Sequence, residues 1–359
     1  MRLVALWAIL FAVYAAGIGI DPRSGDELVH LRIAATLVAD GQVEDLPQGA
    51  GFALLISPAR ELGGGRAVEL VLAAIAALGF VLAALLGRRI VPEPYASAGA
   101  GLAGLSPPAI AHGAAIYPEM LAGTLLAGAA VCAVSARERP RKATALGGGA
   151  TLAVLPWLSP LLIIPAAPVA LALYTWCRRG RRPLLGLASV ELIAGSLVFY
   201  ATLNERLYGG PTPWSSTPPG VTATGAQTAG DYIVRVPRLV IAWVDPSAGL
   251  LRWAPLFALV FFAAWLLWRS QRTGLARVVA ARAGAEATAE LALAIVGAQL
   301  LVAAFLVPSL ETHHFAALHL APALPAAGAL VAWGLRHQPR IGGLLAAITL
   351  AISAWVLVR

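Results

Sequence analysis

The chain has 359 residues, of which 59% are hydrophobic and only 12% charged, with a formal net charge of +8. Soluble domains carry about twice that share of charged residues, so the composition excludes a soluble domain with a simple anchor and predicts an all-α integral membrane protein. The basic excess does not point to nucleic acid, because most of it falls in short stretches between apolar runs, where it sets orientation.

The first apolar run, residues 3–20, follows Met1 and Arg2 and ends in no small-residue cleavage site, so it reads as a retained first helix rather than a cleaved leader. Two adjacent carboxylates come next, in Gly25-Asp26-Glu27-Leu28-Val29-His30. Downstream, Leu28, Leu31, Ala35 and Val38 recur at helical spacing. That spacing predicts an amphipathic helix over 27–39, ending at Gly41, lying in the membrane surface with Asp26 as its N-cap. Further apolar segments fall at 67–86, 95–116, 118–134, 143–157, 158–176, 183–203, 251–268, 287–307, 315–333 and 341–358. At roughly 20 residues per crossing this makes about eleven spans. Pro156 ends the fifth span, and Ser106-Pro107-Pro108 breaks the third. Irregular backbone at membrane depth is tolerated where it faces protein or water, and a water-filled cavity near Glu119 accounts for that break.

Arg88-Arg89, the stretch from Arg137 to Lys142, the stretch from Arg178 to Arg182, the stretch from Arg269 to Arg282, and Arg336 with Arg340 occupy alternate loops. With Arg2 they hold most of the 26 basic residues. The positive-inside rule places them in the cytoplasm, with the N-terminus inside and the C-terminus outside a plasma membrane. No repeat and no soluble domain is visible, so residues 1–359 form one membrane domain. Its first outer loop is 21–66, and its longest, 204–250, is rich in Gly, Pro, Ser and Thr. Cys132 and Cys177 fall near inner helix ends, where a disulfide is not expected.

Acids and imidazoles gather on the outer side, which marks it as the functional face. Asp26 is either a helix cap or a reactive carboxylate, and Glu27 either a first-turn acid favoured by the helix dipole or its companion. Glu119 follows Pro118 at the start of the fourth span, so it too is either a first-turn acid or part of a site. Arg206 and Arg252 flank the long outer loop and suit either a phosphate or lipid headgroups. His313 and His314, with Glu311, could hold a diphosphate or a divalent metal, although neither pair has strict metal-ligand spacing. Glu191, inside the seventh span, is an intramembrane charge that points to function or tilts toward Arg181 and Arg182.

Several of these segments, in this order, resemble those of the GT-C glycosyltransferases that use polyprenyl-phosphate sugars, such as the protein O-mannosyltransferases and the lipid A aminoarabinose transferases. Gly25-Asp26-Glu27 with its following helix is similar to that family's first-loop motif. Ser106-Pro107-Pro108 through Tyr117-Pro118-Glu119 resembles its third-span region, and Leu155-Pro156-Trp157-Leu158-Ser159-Pro160 its hairpin between spans five and six. Asn204 to Gly209 and Gly249 to Pro255 resemble segments that border its long loop. Where relatives often carry an arginine before the tenth span, this chain carries His313-His314-Phe315. The resemblance implies Asp26 as general base, Glu27 and Glu119 on the acceptor side, and Arg206, Arg252, His313 and His314 at the donor phosphate. The implied partners are a polyprenyl-phosphate sugar, a glycan, lipid or protein acceptor, and the bilayer, with no certain cofactor. The rival readings are a flippase or transporter for a lipid-linked substrate, with polar groups at the membrane midplane, and a scaffold for envelope assembly.

Overall fold

The computed structural model describes residues 2–19, 25–39, 50–216, 224–247, 249–274, 279–310 and 315–358, and no strand occurs among them. The chain opens with α1 (Arg2–Ala16), α2 (Gly25–Ala39) and the long α3 (Ala50–Ile90). Next come α4 (Tyr95–Gly104), α5 (Pro107–Gly113), α6 (Pro118–Glu138), α7 (Lys142–Leu158), α8 (Ile163–Arg179) and α9 (Pro183–Tyr208). The short α10 (Ala229–Val234), α11 (Arg238–Val244) and α12 (Leu250–Trp253) lead to α13 (Ala258–Thr273), α14 (Ala280–Leu301), α15 (Leu324–His337) and α16 (Pro339–Val358).

Among the described residues seven helices, namely α3, α6, α8, α9, α14, α15 and α16 with their flanking turns, are long and apolar enough to cross a membrane, the build of a multi-pass membrane protein. The other four apolar segments of the sequence are also helical but shorter. They are α1 with 15 residues, α4 and α5 with 10 and 7, α7 with 17 and α13 with 16. Among the described residues, length and composition therefore mark seven spans where the sequence suggests about eleven.

The helix α15 is the hub, with 89% of its apolar window buried against 17% for the α9 segment and 28% for α16. It touches α4 so closely that a methyl added at Gly99 would lie 2.4 Å from Cα of Ala332. Association between apolar helices in lipid depends on this kind of close backbone contact at small residues. Successive crossings place the Arg-rich turns after α3, α6, α8, α13 and α15 at one end of the bundle, here called the basic end. The opposite, loop end carries α2, the α5–α6 turn and the segment between α9 and α13.

Two expectations about the third and fifth spans turn out differently. The third is broken, as Ser106-Pro107-Pro108 requires: Ser106 is extended, the conformation favoured before proline. The carbonyls released at the break are not left bare. Ser106 Oγ donates to Ala103 at 2.6 Å, Tyr14 Oη of α1 to Gly104 at 2.8 Å, and Ser353 Oγ of α16 to Leu105 at 2.6 Å. Pro156, by contrast, does not end the fifth span. The helix α7 runs through it to Leu158, because a proline in the last turn forfeits only its own hydrogen bond, and Ser159 N–H still donates to Leu155 at 3.1 Å.

Within the 21–66 segment the described residues, 25–39 and 50–66, are helical. The helix α3 bends inside it at Gly63 and Gly64, and Gly64 takes a left-handed φ of 64° that favours glycine. The helix α2 begins at Gly25, so Asp26 lies in its first turn and is not its N-cap. Its faces differ in burial. Glu27, His30, Ile33 and Ala34 are buried, while Leu28 and Val29 are exposed; the side chains of 36–39 lie outside the described residues. The polar face is drawn inward because the α5–α6 turn and α3 offer it hydrogen-bonding and ring partners.

Candidate functional site

A cavity of about 220 Å³ opens at the loop end, where the end of α1, the start of α2, α3 just past its bend, and the α5–α6 turn meet. Each wall follows from local sequence. The α5–α6 turn leaves helical geometry between Gly113 and Pro118, which frees the Ile116 N–H. Glu27 accepts that N–H at 2.8 Å, fastening α2 to the turn. The bend at Gly63-Gly64 brings Arg66 and Glu69 onto the cavity, where Arg66 Nη1 lies 3.7 Å from Glu69 Oε2. Glu69 is buried and Arg66 is 59% exposed, so the ion pair runs from the interior to the rim. His112 lines the same space, and its Nε2–H donates to the Ala316 carbonyl at 3.0 Å. His30 packs edge-on against Phe52 and Tyr117 beside it, at ring distances of 5.1 and 6.0 Å. Two carboxylates, a guanidinium and an imidazole thus share one half-enclosed space, a grouping able to bind hydroxyl-rich and anionic groups together.

A second, smaller cavity of about 50 Å³ lies on the other side of the Tyr117–Pro118 step. Glu119, in the first turn of α6 after Pro118 at N1, lines it with Ser159, Gln299 and His319. Gln299 Nε2 donates to the His319 carbonyl at 2.8 Å, which turns its Oε1 the other way. That oxygen and Glu119 Oε2 are both buried with no hydrogen-bond partner among the described residues. Two bare acceptors in one pocket suit a donor, either water or a ligand hydroxyl or ammonium.

The structure therefore sets Glu27 and Glu119 in neighbouring cavities rather than one. Asp26 precedes Glu27 in the first turn of α2; its side chain lies outside the described residues, as do Glu311, His313 and His314. Arg206 is exposed in the last turn of α9 and lines neither cavity. Arg252 is also exposed, bonded to the Pro246 carbonyl and 5.6 Å above the Trp253 ring, and it too lies outside both cavities. Glu191 sits on the exposed face of α9 and lines none of the cavities described. Among the described residues no cluster of three or more His, Cys, Asp or Glu could hold a metal. Sequence reasoning passed over Glu69 and Gln299. Each is an isolated polar residue in an apolar span, and that isolation was the available signal.

The helical bundle, with its broken third segment and a cavity above the first helix, resembles the GT-C membrane fold. Solved structures of that fold include ArnT from Cupriavidus metallidurans in the apo state, with a TM-score of 0.62 and 19% identity over 94% of this chain and 61% of that one. The same protein bound to undecaprenyl phosphate gives a TM-score of 0.63 at 17% identity over 95% of this chain and 62% of that one. The archaeal oligosaccharyltransferase AglB from Archaeoglobus fulgidus, in complex with an inhibitory peptide and a dolichol-phosphate, gives 0.55 at 14% identity over 99% of this chain and 55% of that one. ArnT and AglB are both GT-C glycosyltransferases. The chain spans about three fifths of the length of ArnT. No protein-family model and no curated protein matches the sequence.

Proposed function

We propose that this protein is a membrane glycosyltransferase that moves a sugar from a polyprenyl-phosphate donor to an acceptor hydroxyl, with inversion, at the outer face of the plasma membrane. The observation that carries this reading is the acid-lined cavity directly beneath the first turn of α2, in a fold shared with structures bound to undecaprenyl phosphate and dolichol-phosphate. In this reading Asp26 takes the proton of the acceptor hydroxyl as its oxygen attacks the anomeric carbon. The bond from that carbon to the phosphate oxygen breaks, and polyprenyl phosphate leaves. A base so placed contributes about 10²–10⁴-fold. Asp26 suits this role better than Glu27, because Glu27 already accepts the Ile116 N–H and is occupied in holding the turn. Glu27 and Glu119 shape the acceptor side.

The departing phosphate needs positive charge. Arg206, Arg252, His313 and His314 are candidates from the sequence; Arg66 joins them because it lines the Glu27 cavity. The sugar is one that a lipid phosphate carries, and the acceptor is a glycan, lipid or protein. The transport alternative draws no support from Glu191, which faces outward from α9.

The decisive test uses the purified protein in liposomes, first with mass spectrometry of the co-purified lipid and then with the lipid-linked sugar so identified. Asp26→Asn should abolish transfer while Asp26→Glu retains part of it. Turnover near that of the unaltered protein in Asp26→Asn removes Asp26 from the mechanism. Arg66→Ala should weaken donor use, and unchanged donor affinity would return Arg66 to its ion pair with Glu69.

A further inference from the structure

At the basic end, α3, α6 and α7 leave a cleft with two connected parts. The mouth, about 580 Å³, is polar and is lined by Arg89, Glu138, Arg139, Arg141 and Thr144. Behind it a space of about 360 Å³ runs between α3 and α6 over Leu85, Leu86, Val131 and Val134. Arg89 and Ser135 line both parts, so the apolar groove opens into the charged mouth.

The charge in the mouth is not balanced from within. Arg88 is 2.6 Å from the Glu93 carboxylate, and Arg89 pairs with Glu138. Arg139 and Arg141 are exposed, and neither has a carboxylate at ion-pair distance among the described residues. Arg141 is also the N-cap of α7, a helix of 17 residues. The first-turn N–H groups of such a helix have no partners within it and carry the positive end of its dipole. Two unpaired guanidiniums and a helix start thus meet at the mouth of an apolar groove. A free phosphate would use only the mouth, and a neutral lipid only the groove. An amphiphile with an anionic head uses both.

We infer that this cleft binds an anionic phospholipid, its phosphate against Arg139, Arg141 and the start of α7, and one acyl chain in the groove between α3 and α6. Basic residues beside membrane helices favour such headgroups in general; the groove is what makes this a site rather than a diffuse attraction. It lies at the end of the bundle opposite the Glu27 cavity, so it stands or falls independently of the glycosyl-transfer reading.

The test is native mass spectrometry of the delipidated full chain with phosphatidylglycerol, phosphatidylcholine or inorganic phosphate as probe. Phosphatidylglycerol should be retained at least about tenfold better than phosphatidylcholine, as expected from two basic contacts. Arg139→Gln with Arg141→Gln should erase that preference. Arg178→Gln with Arg179→Gln, equally exposed at the end of α8, should leave it intact. Val131→Trp should narrow the groove and lower phosphatidylglycerol retention with every arginine in place. Equal loss in the two arginine doubles overturns the site in favour of bulk charge. Equal retention of the two lipids, or displacement of phosphatidylglycerol by an equal concentration of inorganic phosphate, overturns it as well. Thermal melting of each variant separates lost binding from lost folding, and the arginine doubles, being exposed, keep the test decisive if Val131→Trp misfolds.

Discussion

Two sets of carboxylates, one at each end of the bundle, live in different circumstances. At the basic end Glu138 is half exposed and pairs with a half-exposed Arg89, Glu93 accepts from Arg88 and Ser97 near the surface, and the buried Glu286 accepts from Ser270 and lies 3.6 Å from Arg282. At the loop end Glu27 and Glu69 are buried, and Glu119 keeps one oxygen buried with no partner among the described residues. Each carboxylate of the first set has an arginine partner beside it. Charges held out of water at a cavity carry a standing cost, which a fold built for stability alone would avoid.

Asp26→Asn gives the largest separation between the ends: a loss of about 10²–10⁴-fold in transfer with an unchanged melting temperature. A large drop in melting temperature would instead make Asp26 structural. Glu27→Ala strands the buried Ile116 N–H and should destabilise by about 1–3 kcal/mol, whereas Glu27→Gln keeps an acceptor and should lose much less. Denaturant titration in detergent measures both, and equal losses would detach Glu27 from the turn. Glu119→Met removes a bare buried acceptor and should raise stability by about 1 kcal/mol while lowering transfer. A lower melting temperature would mean that the oxygen is satisfied by water.

At the basic end the effects shrink. Arg89→Ala should cost no more than about 1 kcal/mol, since both partners of its pair are half exposed. Glu93 provides a pH signature of the same small kind. Burial pushes its carboxyl up, but the Ser97 and Arg88 hydrogen bonds outweigh that and hold it below the usual range. A lowered carboxyl stabilises above its ordinary pKa and loses that contribution as pH falls below about 4. The melting temperature of the unaltered protein should therefore fall more on acidification than that of Glu93→Gln.

Much of this architecture is legible in the residues. The apolar runs mark the helices, Ser106-Pro107 marks the break, and Asp26-Glu27 marks the start of α2, where the larger of the two loop-end cavities opens. The partners of α2 are what the residues do not show. Helical spacing sets Leu28 and Leu31 on an apolar stripe, but nothing local says that Glu27 meets the Ile116 N–H or that His30 meets Phe52. In a chain surrounded by lipid, apolar side chains are content outside and small or polar ones turn inward. Glu27 and His30 are buried on that logic, and Leu28 and Val29 are not. The same inversion leaves much of α9 uncovered while the alanine- and glycine-rich α15 is the hub. The bend at Gly63-Gly64 is visible as a glycine run, but nothing local says that it carries Arg66 and Glu69 to a helix some 40 residues earlier.

The break between α4 and α5 has a mechanical consequence. The carbonyls it releases accept from hydroxyls of α1 and of α16, so these two helices are both moored to one point near residue 105. Pulling on either terminus loads the same anchor. A force spectrum taken from the C-terminal end should show α16 resisting extraction until the Ser353 tether parts, and Ser353→Ala should weaken that first rupture selectively.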